Sequence, residues 1–373
     1  MKHAVEVLSQ RLSEVLPTMG TTDMDPLILD GDDMTTNSSG TASSSSVLPV
    51  PTTAVQLHPA VQRKHQRVGL CLQVIGAVCL SFMAVLVKHT SRAVAVETLV
   101  FWRSFLALGA NVSLQRHYGM PYFTIFIDDL QPKVQLQSVL GYLETTLSFH
   151  AVAALPVSDA SVVLGSSSVL TCLAGYKLQQ LRNKGNSKVS ISPVEWALGA
   201  LPLFGLLFVQ GPLCLLPQSA GIDLNSSNLA FLGGFAAAIL TGVMWVVMPH
   251  LHEISPLPVI THTLALSCVV SGLKTFLFPE AVAATDEARP LPRLVTEVVL
   301  MALLGCVGQI SVTRGCQLYQ IEPLPLVPFA TGLVCMLALD AVVFKEYLPI
   351  GPTVAVMVAV GATCTLIYRK NAK

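Results

Sequence analysis

From Val68 onward the chain is a succession of apolar stretches, each near twenty residues long, separated by short polar or proline-bearing breaks. No soluble core accommodates so many uninterrupted runs, whereas a helix of about 20 apolar residues matches the ~30 Å hydrocarbon layer of a bilayer. The stretches are 68–87, 97–115, 134–154, 157–177, 193–211, 229–248, 257–278, 294–313, 324–344 and 350–368. They predict an all-α integral membrane protein with ten transmembrane helices. The composition agrees: 52% of the 373 residues are hydrophobic and 12% charged, about half the charge of an ordinary soluble chain.

Residues 1–67 are of another kind. They are rich in Ser, Thr, Pro and Asp, with a low-complexity run from Thr35 to Ser46, and they lack the apolar surface that would offset the entropy of ordering. A disordered tail is expected, with Val5, Leu8, Leu12 and Val15 at the spacing of a short amphipathic helix. Glu6, Gln10, Arg11 and Glu14 interrupt it as a signal-peptide core. Basic and acidic residues balance at 22 each, so no charge field recommends nucleic acid as a partner. The balance hides a split, because residues 1–60 carry seven acidic and two basic side chains. The excess cations of the remainder fall in alternate loops: Arg63, Lys64, Arg67, Arg116, Lys133, Lys177, Arg182, Lys184, Lys188, Arg314, Arg369, Lys370 and Lys373 on one side, against Lys88, Arg92, Arg289, Arg293 and Lys345 on the other. By the positive-inside rule both termini are cytosolic, in an endomembrane or the plasma membrane. The acidic tail and that basic face carry opposite charge and would attract each other.

Nine cysteines lie in or beside the spans, none in C-x-x-C spacing, so neither a metal nor a redox pair is expected, and no cofactor. Of two glycosylation-type sequons, Asn37-Ser38-Ser39 is on the cytosolic side, and Asn225-Ser226-Ser227 is in an outside loop close to the sixth span. The motifs of metalloproteases, serine hydrolases and P-loop ATPases are absent from the sequence. A non-enzymatic role is therefore expected.

Ten spans form two sets of five, and because five is odd the second set crosses in the opposite sense, the geometry of an inverted repeat. Three segments carry a family likeness: Phe101-Trp102-Arg103-Ser104; Ala154-Leu155-Pro156-Val157-Ser158-Asp159-Ala160-Ser161-Val162-Val163-Leu164-Gly165-Ser166-Ser167; and Phe344-Lys345-Glu346-Tyr347-Leu348-Pro349-Ile350-Gly351-Pro352, followed by Gly361 in the last span. In these, over 68–369, the chain resembles the drug/metabolite transporter superfamily, its EamA-type repeat and the solute-carrier branch that includes nucleotide-sugar transporters. The resemblance implies repeats at 68–215 and 225–369 and an organic metabolite as substrate. The first repeat departs from the pattern, with Lys177-Leu178-Gln179-Gln180 where the second has its Lys345-Glu346.

Charges inside spans cost at least ~2.5 kcal/mol each, so they face a partner or an aqueous cavity. Arg103 lies about 9 Å from the outer end of its span and Glu144 about 15 Å, at 1.5 Å per residue. Two readings follow: an Arg103–Glu144 pair that holds two helices together, or an anion-binding Arg103 with a proton-accepting Glu144. His150 is a candidate titrating group at the outer mouth or a helix-to-helix hydrogen-bonding residue, as is His262 in the seventh span. Lys274 reads as a snorkelling side chain or a second cation for an anion. Ser161, Gly165, Ser168, Cys172 and Gly175 form a small-residue stripe for close helix approach, with Ser166 and Ser167 beside it as candidate cavity polar groups. Gln309, Arg314 and Thr331 extend that lining, and Pro323, Pro325 and Pro328 interrupt the start of the ninth span, as Pro156 does the fourth. Asp340, Lys345 and Glu346 form either an outer gate or a solvated helix end.

The expectation is a secondary, alternating-access transporter of a small organic metabolite, an exchanger or proton-coupled, with the bilayer and the solute as its partners. A second copy and a cytosolic partner of the tail complete the candidate partners. The alternative is a non-transporting membrane adaptor on a transporter fold, acting through its tail.

Overall fold

The computed structural model describes residues 59–120, 131–167, 171, 224–251, 255–278, 290–318, 326–344, 357 and 361. The chain divides into Met1–Gln62, of which only the first residues of one helix are described, and Arg63–Lys373. Among the described residues the regular structure is entirely helical: α1 (Pro59–Thr90), α2 (Val96–His117), α3 (Gln131–Ala154), α4 (Val157–Gly165), α5 (Leu224–Val247), α6 (Pro256–Leu277), α7 (Leu291–Leu318) and α8 (Leu326–Leu339). A 3₁₀ turn at Met248–Leu251 follows α5, and a π-helical turn at Asp340–Phe344 follows α8.

These helices fall on eight of the expected spans. The stretches 193–211 and 350–368, Met357 and Gly361 apart, lie outside the described residues, as do the tail as far as residue 58, Ser168, Cys172 and Gly175. Several boundaries differ from the sequence reading, and Lys88, Arg116 and Lys133, assigned to loops, lie in the end turns of α1, α2 and α3. Helix α1 starts at Pro59, ahead of the apolar run, because a proline suits a helix's first turn and the following polar residues continue it. Asn225 belongs to the first turn of α5 and not to a loop. Arg314, assigned above to a basic loop, is a buried residue inside α7, which runs on to Leu318.

Helix ends follow local chemistry. Proline supplies the entry residue at Pro156 before α4 and the first position of α6 at Pro256. Helix α2 closes in a Schellman turn: Gly119 takes φ +62°, its N–H donates to Arg116 O at 3.3 Å, and Met120 N–H donates to Gln115 O at 3.0 Å. Only a residue without Cβ adopts that φ freely.

Four helical segments are long and apolar enough to cross a membrane: Arg67–Thr90, Leu229–Val247, Pro256–Leu277 and Leu291–Leu318. That is the build of a multi-pass membrane protein. The radial distribution of residue types is that of a chain whose solvent is lipid. Phe82, Trp102, Phe105, Leu136, Leu232, Val269 and Phe276 are exposed, while Gln73, Glu97, Arg103, Asn111, Gln115 and Gln137 are buried. Water would favour the reverse arrangement.

The helices pair in a definite pattern. Helix α2 lies along α6 and α3 along α5, while α4 packs on α8, and both α2 with α7 and α3 with α6 make further contacts. Helix α1 approaches α7 backbone to backbone. A Cβ at Gly76 would stand 2.5 Å from Val312 Cγ2 and 2.9 Å from Gly308 O, and one at Gly315 would stand 2.8 Å from Gly69 O. Glycines seven apart on each helix, Gly69 and Gly76 facing Gly308 and Gly315, make this approach feasible. Helices α2 and α6 are clasped by amides: Asn111 Nδ2 donates to Leu257 O at 3.0 Å and to Thr261 Oγ1 at 2.8 Å, and Gln115 Nε2 donates to the same hydroxyl. Neutral hydrogen bonds of this kind replace the hydrophobic drive that lipid withholds from helix association.

Candidate functional site

Helices α2 and α3 do not reach the apolarity of the four named above, although at 22 and 24 residues they are about 33 and 36 Å long, enough to span. Their polar residues are the reason, and those residues face inward. They border a cavity of about 300 Å³ to which all eight helices contribute. Arg103 comes from α2, Glu144 from α3, Ser161 from α4, Thr241 and Trp245 from α5, Thr263 from α6, Gln309 from α7, and Phe329 from α8.

Arg103 is 1% exposed. Its guanidinium carbon lies 5.7 Å from the centroid of the Phe149 ring, a cation–π distance. It also rests against Gly305 of α7, where a Cβ would meet Nε at 3.0 Å and Nη2 at 3.1 Å, so that glycine leaves the room the guanidinium fills. Among the described residues no acceptor hydrogen-bonds this side chain, and its Nε–H is buried without one. Glu144 is better supplied: Ser148 Oγ donates to Oε1 at 3.1 Å and Thr145 Oγ1 to Oε2 at 3.3 Å. The two charges sense each other electrostatically but form no ion pair within 4.0 Å. Of the two sequence readings, the structure therefore lacks the direct Arg103–Glu144 clamp and has both groups facing one space.

The remaining candidates divide. Ser167 and Gln309 line the cavity, and among the described residues Ser167 Oγ and Gln309 Oε1 have no hydrogen-bond partner. Ser166, beside them in sequence, points elsewhere and donates to Val163 O at 2.6 Å. Arg314, Thr331 and His262 are not among the lining residues. Gly165 of the small-residue stripe packs against Leu333, 2.9 Å from where its Cβ would be, and Ser161 borders the cavity. Asp340 is buried in the π-helical turn, and Lys345 and Glu346 lie outside the described residues.

His150 and Lys274 belong to a separate cluster at one end of the bundle, built on a residue the sequence reading passed over. Glu97, in the first turn of α2, is buried. Its Oε1 is bonded by Lys274 Nζ from α6 and lies 3.1 Å from His150 Nε2 of α3. Oε2 is buried with no hydrogen-bond partner among the described residues. Lys274 thus turns to a carboxylate, not simply to the membrane surface. At the same end, Glu297 of α7 meets His89 Nδ1 at 3.4 Å and Thr90 Oγ1 at 3.3 Å, and Lys88 Nζ donates at 2.8 Å to both Ala153 O and Leu155 O, filling carbonyls that the end of α3 leaves open. Glu97 was hidden because a carboxylate at the first residue of an apolar span reads as an interfacial charge. Its signal was the pairing of an acid at the start of one span with basic residues at the ends of two others.

The fold has been seen in crystals. A solved crystal structure aligns with 99% of its own length on 81% of this chain, at 17% identity and a TM-score of 0.57. It is among 28 solved chains with significant similarity. No protein-family model matches the sequence, and no curated protein does. At that identity the likeness concerns the backbone arrangement alone.

Proposed function

We propose that this protein is a secondary-active carrier that moves a small organic metabolite across a membrane by alternating access, and that it transports its solute without transforming it. The observation that carries this reading is the cavity shared by the eight described helices, with a carboxylate and a buried cation on its wall, the cation having no hydrogen-bond acceptor among the described residues. Charges buried inside a bundle of apolar helices are retained where a solute or ion meets them. The proposal extends to ten helices in two inverted five-helix repeats, with both termini cytosolic, as in the EamA-type drug/metabolite transporters the sequence resembles.

The helix pairing supports the repeat. Counting 193–211 as the fifth span, exchange of each helix with the one five later turns α2·α6 into itself and α4·α8 into itself. It turns α1·α7 into α5·α3, and α2·α7 into α6·α3. All of these contacts occur. Two similar bodies related in this way rock about a central site, which is how such carriers alternate.

The test is uptake by proteoliposomes containing the purified full-length chain, with a panel of amino acids, carboxylates, amines and nucleotide sugars. Flux of at least one solute, reduced at least about tenfold in Arg103→Ala or Glu144→Gln, is the expected result. Unaltered flux in both variants would remove the site assignment. Absence of all flux, with a cellular phenotype that depends on residues 1–58, would favour an adaptor acting through its tail.

A further inference from the structure

We propose that the solute of this cavity is a small zwitterion with an apolar body, its anionic group held by Arg103 and its cationic group by Glu144. This deepens the carrier reading and rests on it. Arg103 is buried, makes no hydrogen bond among the described residues, and borders the cavity. A guanidinium presents a planar fork of donors that a carboxylate satisfies with two bonds at once. Glu144 has hydroxyls on both oxygens but, among the described residues, no cation within ion-pair distance. The two charges stand beyond ion-pair distance of each other and still interact. A molecule with opposite charges a few bonds apart satisfies both, whereas a simple anion leaves Glu144 without a counter-charge and a simple cation leaves Arg103 without one.

The rest of the wall sets the body. Trp245 and Phe329, with ring centroids 5.4 Å apart, stand with Met83, Met244, Met248 and Met336 around the space. Methionine side chains adapt to varied apolar shapes. Such a lining suits a solute with a hydrocarbon body.

The experiment is binding to the full-length protein in detergent, by calorimetry, of three probes matched in skeleton: L-norleucine, hexanoate and pentylamine. L-norleucine is expected to bind at least about tenfold more tightly than either of the others. In Arg103→Met its advantage over pentylamine disappears, and in Glu144→Gln its advantage over hexanoate disappears. Hexanoate or pentylamine binding the wild type as tightly as L-norleucine would overturn the assignment, and so would no binding of L-norleucine. The wild-type comparison stands even if a variant does not fold. L-norleucine that binds but is not carried into proteoliposomes would sink the carrier reading and leave the zwitterion site standing. Flux of another solute without L-norleucine binding would do the opposite.

Discussion

Arg103 is held in place at an energetic loss. A buried guanidinium with no hydrogen-bond acceptor and no ion pair among the described residues forfeits its hydration for an aromatic contact and the more distant charge of Glu144. Replacing it with Met, similar in length and apolar, is therefore expected to leave the thermal unfolding midpoint in detergent equal or higher, while lowering solute flux at least about tenfold. A midpoint that falls with flux would mean the arginine serves the fold. Glu97 presents the opposite case. It holds Lys274 and His150, so Glu97→Gln breaks an existing cluster and is expected to lower stability. Both partner side chains are more than a third exposed, so the loss should be about 1 kcal/mol, not the 3–5 kcal/mol of a fully buried pair. Chemical denaturation of the purified variant measures it, and Lys274→Met should show little further loss on top of it.

Between helices, the glycine contacts make the most decisive expectation. At Gly76 an added side chain meets the backbone of α7, which cannot turn aside. Gly76→Val is expected to destabilise by about 1–3 kcal/mol or more, the cost of forcing extra atoms into a filled interface. At Gly109, on the exposed face of α2, a Cβ would meet nothing within 4 Å. Gly109→Ala should be neutral or slightly stabilising, since alanine is the better helix former. Paired thermal melts distinguish the two sites, and equal effects would refute the α1–α7 contact. The sequence reading found the stripe led by Ser161 and Gly165 but not these glycines, because spacings of seven on helices separated by over 200 residues have no local signature.

On the scale of the whole molecule, polar and ionic groups gather at the end of the bundle where α1, α2, α3, α6 and α7 meet. His89 and Thr90 join α1 to α7, Lys88 joins α1 to α3, and Glu97 joins α2, α3 and α6. In the topology proposed above, with both termini cytosolic, this end faces away from the cytosol. A membrane-impermeant thiol reagent applied to intact cells is therefore expected to label a cysteine placed at Arg92, an exposed residue of the turn after α1, in a chain whose reactive native cysteines have been removed. Where the protein stands in the plasma membrane, labelling only after permeabilisation would invert the topology.

What could be read in advance follows from how each property is encoded. Span length and hydropathy are summed along twenty neighbouring residues, so the sequence alone determined that this is a helical membrane protein and where most of its helices lie. It also singled out Arg103 and Glu144, because a charge in an apolar run is conspicuous wherever it points. It did not determine which polar residues meet. Ser167 lines the cavity and its neighbour Ser166 does not, Arg314 lies in a helix and not a loop, and Glu97 is the buried centre of a cluster. Those outcomes depend on helix rotation and on which helices become neighbours. Both are fixed by packing between residues far apart in the chain, where lipid, unlike water, gives apolar surfaces no reason to choose one another, and close-fitting glycines and interhelical hydrogen bonds make the choice.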